Sequence, residues 1–222
     1  MGDSLKRSLK LWQIGGFVFT GIAGVLLHFL YDWTNQSIVV APFSAVNESI
    51  WEHMKLLFFP MFVFALLEYK VIGKNYENFW CAKLVGTIMG LLLIPIIYYT
   101  YTGALGVNAD WFNIVIFFIS AGTAYYLENI LLKNKLDFCK SPLIALVILC
   151  LIAVLFVIMT FVQPPIPLFQ DMTTGITVYK SGGKDFLVTA FVSYKSVRCL
   201  RFLLPVLQCY SYGQPTPFGH LP

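Results

Sequence analysis

Apolar residues fill five stretches of the chain, at about residues 11–31, 54–71, 79–101, 111–132 and 143–162. Each stretch approaches the length of about 20 residues that a helix needs to cross the roughly 30 Å hydrocarbon core of a bilayer. Short polar segments separate most of the stretches, and a longer polar loop follows the first. The pattern predicts an all-α membrane protein, in which residues 1–175 form a bundle of five transmembrane helices.

The amino-acid composition supports a membrane location. Hydrophobic residues make up 58% of the 222 residues and charged residues only 12%, about half of the roughly 25% that is usual in soluble domains. The mean hydropathy is +0.75. These values exclude an intrinsically disordered chain, argue against a soluble globular domain, and predict that a lipid bilayer surrounds the protein.

The basic residues are distributed unevenly. Three clusters lie beside alternate apolar stretches: Lys6, Arg7 and Lys10; Lys70, Lys74 and Lys83; and Lys133, Lys135 and Lys140. Positively charged loops stay on the cytoplasmic side of a membrane. The N-terminus is therefore predicted to be cytoplasmic, and the polar loop after the first span external. Because the net charge of +4 follows this topology, it does not indicate a nucleic-acid partner.

Small residues recur every four positions in two of the predicted spans. They are Gly16, Thr20 and Gly24 in the first span, and Gly86 and Gly90 in the third. Such faces allow two helix backbones to approach closely. They indicate either packing between helices of the same chain or formation of a homodimer.

Polar side chains gather around the external loop and the start of the second span: His28, Asp32, Asn47, Glu48, Ser49, Glu52 and His53. Residues four apart share one face of a helix, which pairs His28 with Asp32 at the end of the first span. The same spacing pairs Glu48 with Glu52 and Ser49 with His53. We therefore predict a polar cluster at the outer membrane face.

One interpretation of this cluster is a metal-dependent hydrolase of a lipid or envelope substrate. Catalytic zinc sites use three His or carboxylate ligands around an open position, with a further carboxylate as general base. His28, Asp32 and His53 would then bind a divalent metal such as zinc, and Glu48 or Glu52 would move protons.

A structural interpretation explains the same residues without chemistry. The pattern Ser49-x-x-Glu52 before an apolar run is a capping box, and Asn47 is itself a good N-cap. Lys55, three residues after Glu52, is positioned to form an ion pair with it. In this interpretation the cluster only fastens the loop to the helices.

Two further carboxylates, Glu68 and Glu128, lie near the predicted inner ends of the second and fourth spans. If both face the interior of the bundle, they form the inner half of a polar path whose outer half includes Asn113 and the outer cluster. Ionisable groups at membrane depth often mark such paths. This arrangement would suit a carrier for a small solute or ion.

Three passages carry a resemblance to known sequences. They are HxxYDW ending at Trp33, APFSAVNESIWEHMKLLFFP at residues 41–60, and PPIPLFQDMTTG at residues 164–175. With them the chain resembles a family of small bacterial integral-membrane proteins of unknown function, and NESIWEHMK is the most specific part. The resemblance implies a multi-pass protein of the bacterial plasma membrane, and it implies no activity and no catalytic role.

Residues 176–222 depart from this family pattern. Their moderately apolar stretch contains Lys195, Arg198 and Arg201, and each such residue costs about 2.5–3.5 kcal/mol at the centre of a span. The segment is therefore predicted not to cross the membrane and to form a poorly ordered tail. Deleting residues 177–222 should leave insertion and stability unchanged, and the yield of folded protein tests this hypothesis.

Overall fold

The computed structural model describes residues 3–134, 141–172, 179–181 and 184–186. Its helices follow one another along the chain: α1 (Asp3–Trp33), α2 (Ile50–Val71), α3 (Phe79–Leu105), α4 (Asp110–Lys133) and α5 (Pro142–Phe161). All five are long and apolar enough to cross a membrane. The predicted all-α bundle of five helices is confirmed, although α1 and α2 begin earlier than the apolar pattern suggested.

Shorter elements connect or follow the helices. Two 3-10 turns lie at Gly73–Asn75 and Pro167–Phe169, and two short strands, β1 (Tyr179–Ser181) and β2 (Lys184–Phe186), pair in antiparallel register. Apart from these two strands, the tail predicted at residues 176–222 lies outside the described residues.

The helices differ in how far the bundle buries them. In α2, 72% of the most apolar window is buried, against 28% in α1 and 22% in α5, so α2 is the central helix. It contacts the other four helices, α3 packs along α4, and α1 packs against α4. Because α5 is apolar around its circumference, its exposed surface suits lipid rather than water.

The small residues of α1 and α3 face neighbouring helices of the same chain. A Cβ on Gly16 would lie 2.5 Å from the Tyr125 ring, and one on Gly24 would lie 2.6 Å from the Phe117 ring. Gly86 and Gly90 meet α4 in the same way. These contacts support the packing interpretation, and a homodimer stays a prediction.

Two lysines are buried in helices rather than exposed in loops. Lys83 belongs to α3 and is 2% exposed, and Lys55 belongs to α2 and is 0% exposed. The assignment of Lys83 to the basic link between the second and third spans was wrong, because carboxylates on α2 and α4 compensate its charge inside the bundle. The predicted cytoplasmic location of this link then depends on Lys70 and Lys74.

Candidate functional site at the outer end of the bundle

Ser49 caps the start of α2. Its hydroxyl accepts a hydrogen bond from the Glu52 N–H at 3.4 Å, and its own N–H donates to the Asn47 side-chain oxygen at 3.0 Å. The predicted N-cap is confirmed. The Glu52 carboxylate, however, does not complete the capping box, because it accepts from the Val46 N–H at 3.1 Å. The Glu52 carboxylate therefore holds the loop backbone at Val46, three residues before Ser49.

Glu52 and Lys55 form a buried ion pair beside this cap. Lys55 Nζ lies 2.5 Å from Glu52 Oε2, and neither side chain is exposed, so the predicted pairing is confirmed. The ammonium also donates to the Ala41 carbonyl oxygen at 2.9 Å and to the Thr160 hydroxyl at 3.1 Å. One lysine thus joins α2 to the external loop and to α5.

The segment after α5 holds Glu48 in place. The Glu48 N–H donates to Asp171 Oδ2 at 3.2 Å, and the Met172 N–H donates to the Glu48 carbonyl oxygen at 3.2 Å. Phe169 stacks on Trp51 of α2 with ring centroids 4.7 Å apart, which keeps the segment against the helix. The position of Glu48 therefore depends on residues more than a hundred positions away in the chain.

His28 and His53 face the two oxygens of the Glu48 carboxylate. His28 Nε2 lies 3.6 Å from Glu48 Oε1, and His53 Nε2 lies 3.8 Å from Glu48 Oε2. The centroids of the two imidazole rings are 5.8 Å apart. We call His28, Glu48 and His53 the outer triad. Its members come from α1, the external loop and α2.

Hydrogen bonding fixes the atom that His53 turns toward Glu48. His53 Nδ1 lies 2.9 Å from the Ser49 carbonyl oxygen. A carbonyl oxygen only accepts, so Nδ1 carries a proton, and Nε2 of the neutral ring presents a lone pair. A lone pair and a carboxylate oxygen attract each other only through a positive species between them. A proton on Nε2, which would make His53 an imidazolium, or a bound metal ion would supply it.

A cavity of about 410 Å³ adjoins the outer triad. The triad, Asn108, Asp110 and Asn113 line its polar end. Its wall is mostly apolar and comes from α1, α2 and α4, with Val25, Phe29, Leu56, Ile114, Phe117 and Phe118 among the lining residues. A largely apolar cavity with a few converging polar groups is typical of a small-molecule site.

Tyr101 holds two polar residues of the cavity in place, one before α4 and one in its first turn. The Tyr101 hydroxyl lies 2.9 Å from the side-chain oxygens of both Asn108 and Asn113. The sequence singled out Asn113 but neither Asn108 nor Asp110. The only indication of Asp110 in the sequence was its position at the start of an apolar stretch. An acidic residue at that position is also explained by its favourable interaction with the helix dipole.

Four predicted members of the outer cluster do not line this cavity: Asp32, Asn47, Ser49 and Glu52. Asp32 is exposed and does not line the cavity. The Asn47 amide lies 3.4 Å from Gln163 Oε1 and binds the segment after α5. Within the part of the chain that the structure describes, no group of three or more His, Cys, Asp or Glu side chains is arranged to hold a metal ion.

Glu68 and Glu128 meet at Lys83 in the opposite half of the bundle. Lys83 Nζ lies 2.6 Å from Glu68 Oε2 and 2.5 Å from Glu128 Oε2, and Gln13 Nε2 donates to Glu68 Oε1 at 2.8 Å. All four side chains are buried. We call them the inner cluster. The sequence analysis missed Gln13 and Lys83, because a single polar residue near the end of a span gives no sign of which way it faces.

Comparison with known proteins gives this chain a family without an activity. There is no significant match among curated proteins and none among solved structures. A protein-family model described as "Family of unknown function (DUF6512)" matches residues 1–179, a range that contains all five helices, the outer triad and the inner cluster. The chain is therefore a multi-pass membrane protein that belongs to this family of unknown function.

Proposed function

We propose that the protein is a metal-dependent hydrolase of the bacterial plasma membrane that acts on an amphiphilic lipid or envelope substrate. One observation carries the proposal: His28 and His53 both turn Nε2 toward the Glu48 carboxylate at the edge of a cavity. Two imidazoles and a carboxylate around an open position form a known type of catalytic zinc site. We therefore assign the outer triad as the metal ligands, with Glu48 in the place that the sequence analysis gave to Asp32. Because the three described side chains do not already enclose an ion, binding requires the exposed Glu48 side chain to turn toward the two rings.

The two distances from the histidines to Glu48 support this assignment. Ligand atoms bind zinc at about 2.0–2.2 Å, so two ligands of a tetrahedral ion lie roughly 3.3–3.6 Å apart. The observed separations of 3.6 and 3.8 Å equal or slightly exceed this range. The Glu48 side chain is 43% exposed, which leaves it free to turn toward the rings. The hydrogen bond from His53 to a backbone carbonyl is a common way to orient a ligand histidine.

The remaining polar residues of the cavity supply the other parts of a hydrolytic site. A divalent ion would make a bound water acidic enough to act as a nucleophile near neutral pH. We assign Asp110 as the general base that removes the water proton and returns it to the leaving oxygen as the ester or phosphoester bond breaks. Asn108 and Asn113 are suited to bind the polar group of the substrate. Glu52 is less suited to move protons, because Lys55 engages it.

The wall of the cavity supports an amphiphilic substrate. Val25 and Phe29 of α1 are 46% and 45% exposed, and Ile114 of α4 is 59% exposed, although all three line the cavity. Side chains that belong both to the cavity and to the outer surface of the bundle indicate an opening between α1 and α4. In a membrane this surface faces lipid. An acyl or isoprenoid chain would therefore enter sideways while its polar group reaches the outer triad.

Metal analysis of detergent-purified protein without a histidine tag tests the proposal. We expect about one zinc ion, or another divalent ion of similar preference, per chain. Glu48→Gln and His53→Ala should lose this metal while remaining folded. Asp32→Ala is the matched control, because it removes an exposed carboxylate near the same end of α1 and should retain the metal. Metal-free wild-type protein after incubation with zinc would reject the hydrolase and leave a cluster of two histidines and a carboxylate that fastens the loop.

A carrier for a small solute or ion is the second candidate, and the inner cluster favours it. Buried ionisable groups at membrane depth are frequent in transport paths. A carrier requires both ends of the bundle, so Glu68→Gln and Glu128→Gln should abolish solute uptake into vesicles as fully as changes in the outer triad. The hydrolase requires only the outer triad and the cavity for chemistry.

A further inference from the structure

We propose that the inner cluster binds one exchangeable proton, carried by Glu128 beside the ion pair of Lys83 and Glu68. This site lies outside the cavity and uses none of the outer triad, so the proposal is independent of the function proposed above. The proton would give the protein a titratable centre in the half of the bundle that is predicted to face the cytoplasm.

The charges of the inner cluster do not balance without such a proton. Two carboxylates and one ammonium carry a net charge of −1, and Gln13 adds none. Among the described residues, no second lysine or arginine forms an ion pair with Glu68 or Glu128. An uncompensated charge is very unfavourable in a buried site that water does not reach. One bound proton makes the cluster neutral.

The hydrogen bonds of the cluster show the same deficit. Glu128 Oε1 and Gln13 Oε1 are buried acceptors, and no described residue donates to either of them. The nearby Tyr125 hydroxyl is paired with Thr20 at 2.8 Å, while the Gln13 amide group donates to Glu68. Buried polar atoms are almost always paired. A proton on Glu128 Oε1 turns one of the unpaired acceptors into a donor.

Close packing favours a proton over a metal cation. A Cβ on Gly86 would lie 2.4 Å from Glu128 Cγ and 3.0 Å from both Glu128 Oε1 and the Ala124 carbonyl oxygen. The backbone of α3 therefore presses directly on this carboxyl group and closes one side of it to a hydrated ion. A proton needs no such space.

Tyr76 gives the cluster a polar neighbour toward the predicted cytoplasmic side. It follows the turn between α2 and α3, and its hydroxyl is buried without a partner among the described residues. This turn joins the helices that carry Glu68 and Lys83, and burial together with the negative charge of Glu68 raises the pKa of Tyr76. We assign Tyr76 as the relay through which the proton exchanges.

Infrared spectroscopy of the protein in lipid vesicles, with the glutamate side-chain carboxyls labelled with ¹³C, tests the proposal. At neutral pH the wild-type protein should show the C=O band of one protonated glutamate. Glu68→Gln and Glu128→Gln should each abolish this band, because Lys83 then balances the single remaining carboxylate. Lys83→Met should double it. Glu77→Gln is the control that should leave it unchanged, since it removes an exposed glutamate.

The proposal is overturned if the wild-type spectrum lacks a protonated glutamate, a result that needs no variant to fold. It is also overturned if the band survives in either of the two glutamine variants. Transfer to D₂O should shift the band, and Tyr76→Phe should slow that shift at least tenfold, whereas Tyr99→Phe, which changes a more exposed tyrosine, should not. An equal rate in both tyrosine variants would reject the relay.

Discussion

Lys55 Nζ lies 2.5 Å from Glu52 Oε2, and neither side chain reaches the surface of the bundle. Glu52→Gln leaves the ammonium buried without its counter-charge, so we expect it to destabilise the fold by about 3–5 kcal/mol. Unfolding in detergent would measure the loss. The double variant Glu52→Gln with Lys55→Met should recover part of it, and a strictly additive loss would show that the two charges do not depend on each other.

Gly86 should be much less tolerant of alanine than Gly103, although both lie in α3. An added Cβ at Gly86 meets Glu128 at 2.4 Å, whereas one at Gly103 has nothing within 4 Å. Gly86→Ala should therefore lower the thermal stability through overpacking by about 1–3 kcal/mol. Gly103→Ala should be neutral or stabilising by up to about 1 kcal/mol. Equal melting temperatures of the two variants in detergent would contradict this prediction.

The Ser49 side chain should matter for stability and not for metal binding. Ser49→Ala removes the acceptor of the Glu52 N–H and should destabilise the protein by about 0.5–2 kcal/mol. Ser49→Asp retains an acceptor and should recover most of this loss. His53 is bonded to the backbone oxygen of Ser49, so the metal content of both variants should equal that of the wild type. Loss of metal from Ser49→Ala would imply that the hydroxyl itself is a ligand.

Asp171 should affect the metal affinity of the outer triad although it is not one of the proposed ligands. Its carboxylate accepts the Glu48 N–H, so Asp171→Ala frees the segment that carries the proposed ligand. Loss of such a supporting contact commonly weakens metal affinity by about 10- to 100-fold. Titration with zinc in competition with a chelator would measure the effect, with Asp32→Ala as the control of unchanged affinity. Equal affinities would separate Asp171 from the site.

The sequence was sufficient where the determining interactions are local. Long apolar runs identify the spans because only a helix or a closed barrel satisfies the backbone in lipid. The Ser49 cap and the Glu52–Lys55 pair follow from spacings of three residues. The outer triad is different, because Asp32 and Glu48 are equally plausible partners of His28 until the path of the external loop is known. That path depends on Phe169 and Asp171, far along the chain.

The inner cluster was beyond sequence reasoning for a related reason. Lys83 is a basic residue near the end of an apolar stretch, which is the pattern typical of a cytoplasmic loop. Only the rotation of α3 about its axis turns its side chain inward. Its partners lie on α2 and α4, at Glu68 and Glu128. No periodicity within a single span reveals such a contact between three helices.

The two buried lysines also have different consequences for assembly during synthesis. Lys55 and its carboxylate belong to the same helix, three residues apart, so α2 enters the membrane with this charge already neutralised. Lys83 meets its partners only after α3 has docked on α2 and α4 has followed. Until it lies beside α2, where Glu68 compensates Lys83, α3 would carry an uncompensated cation among apolar residues. Formation of this contact would therefore favour release of α2 and α3 into lipid together, and Glu128 would join the cluster when α4 docks.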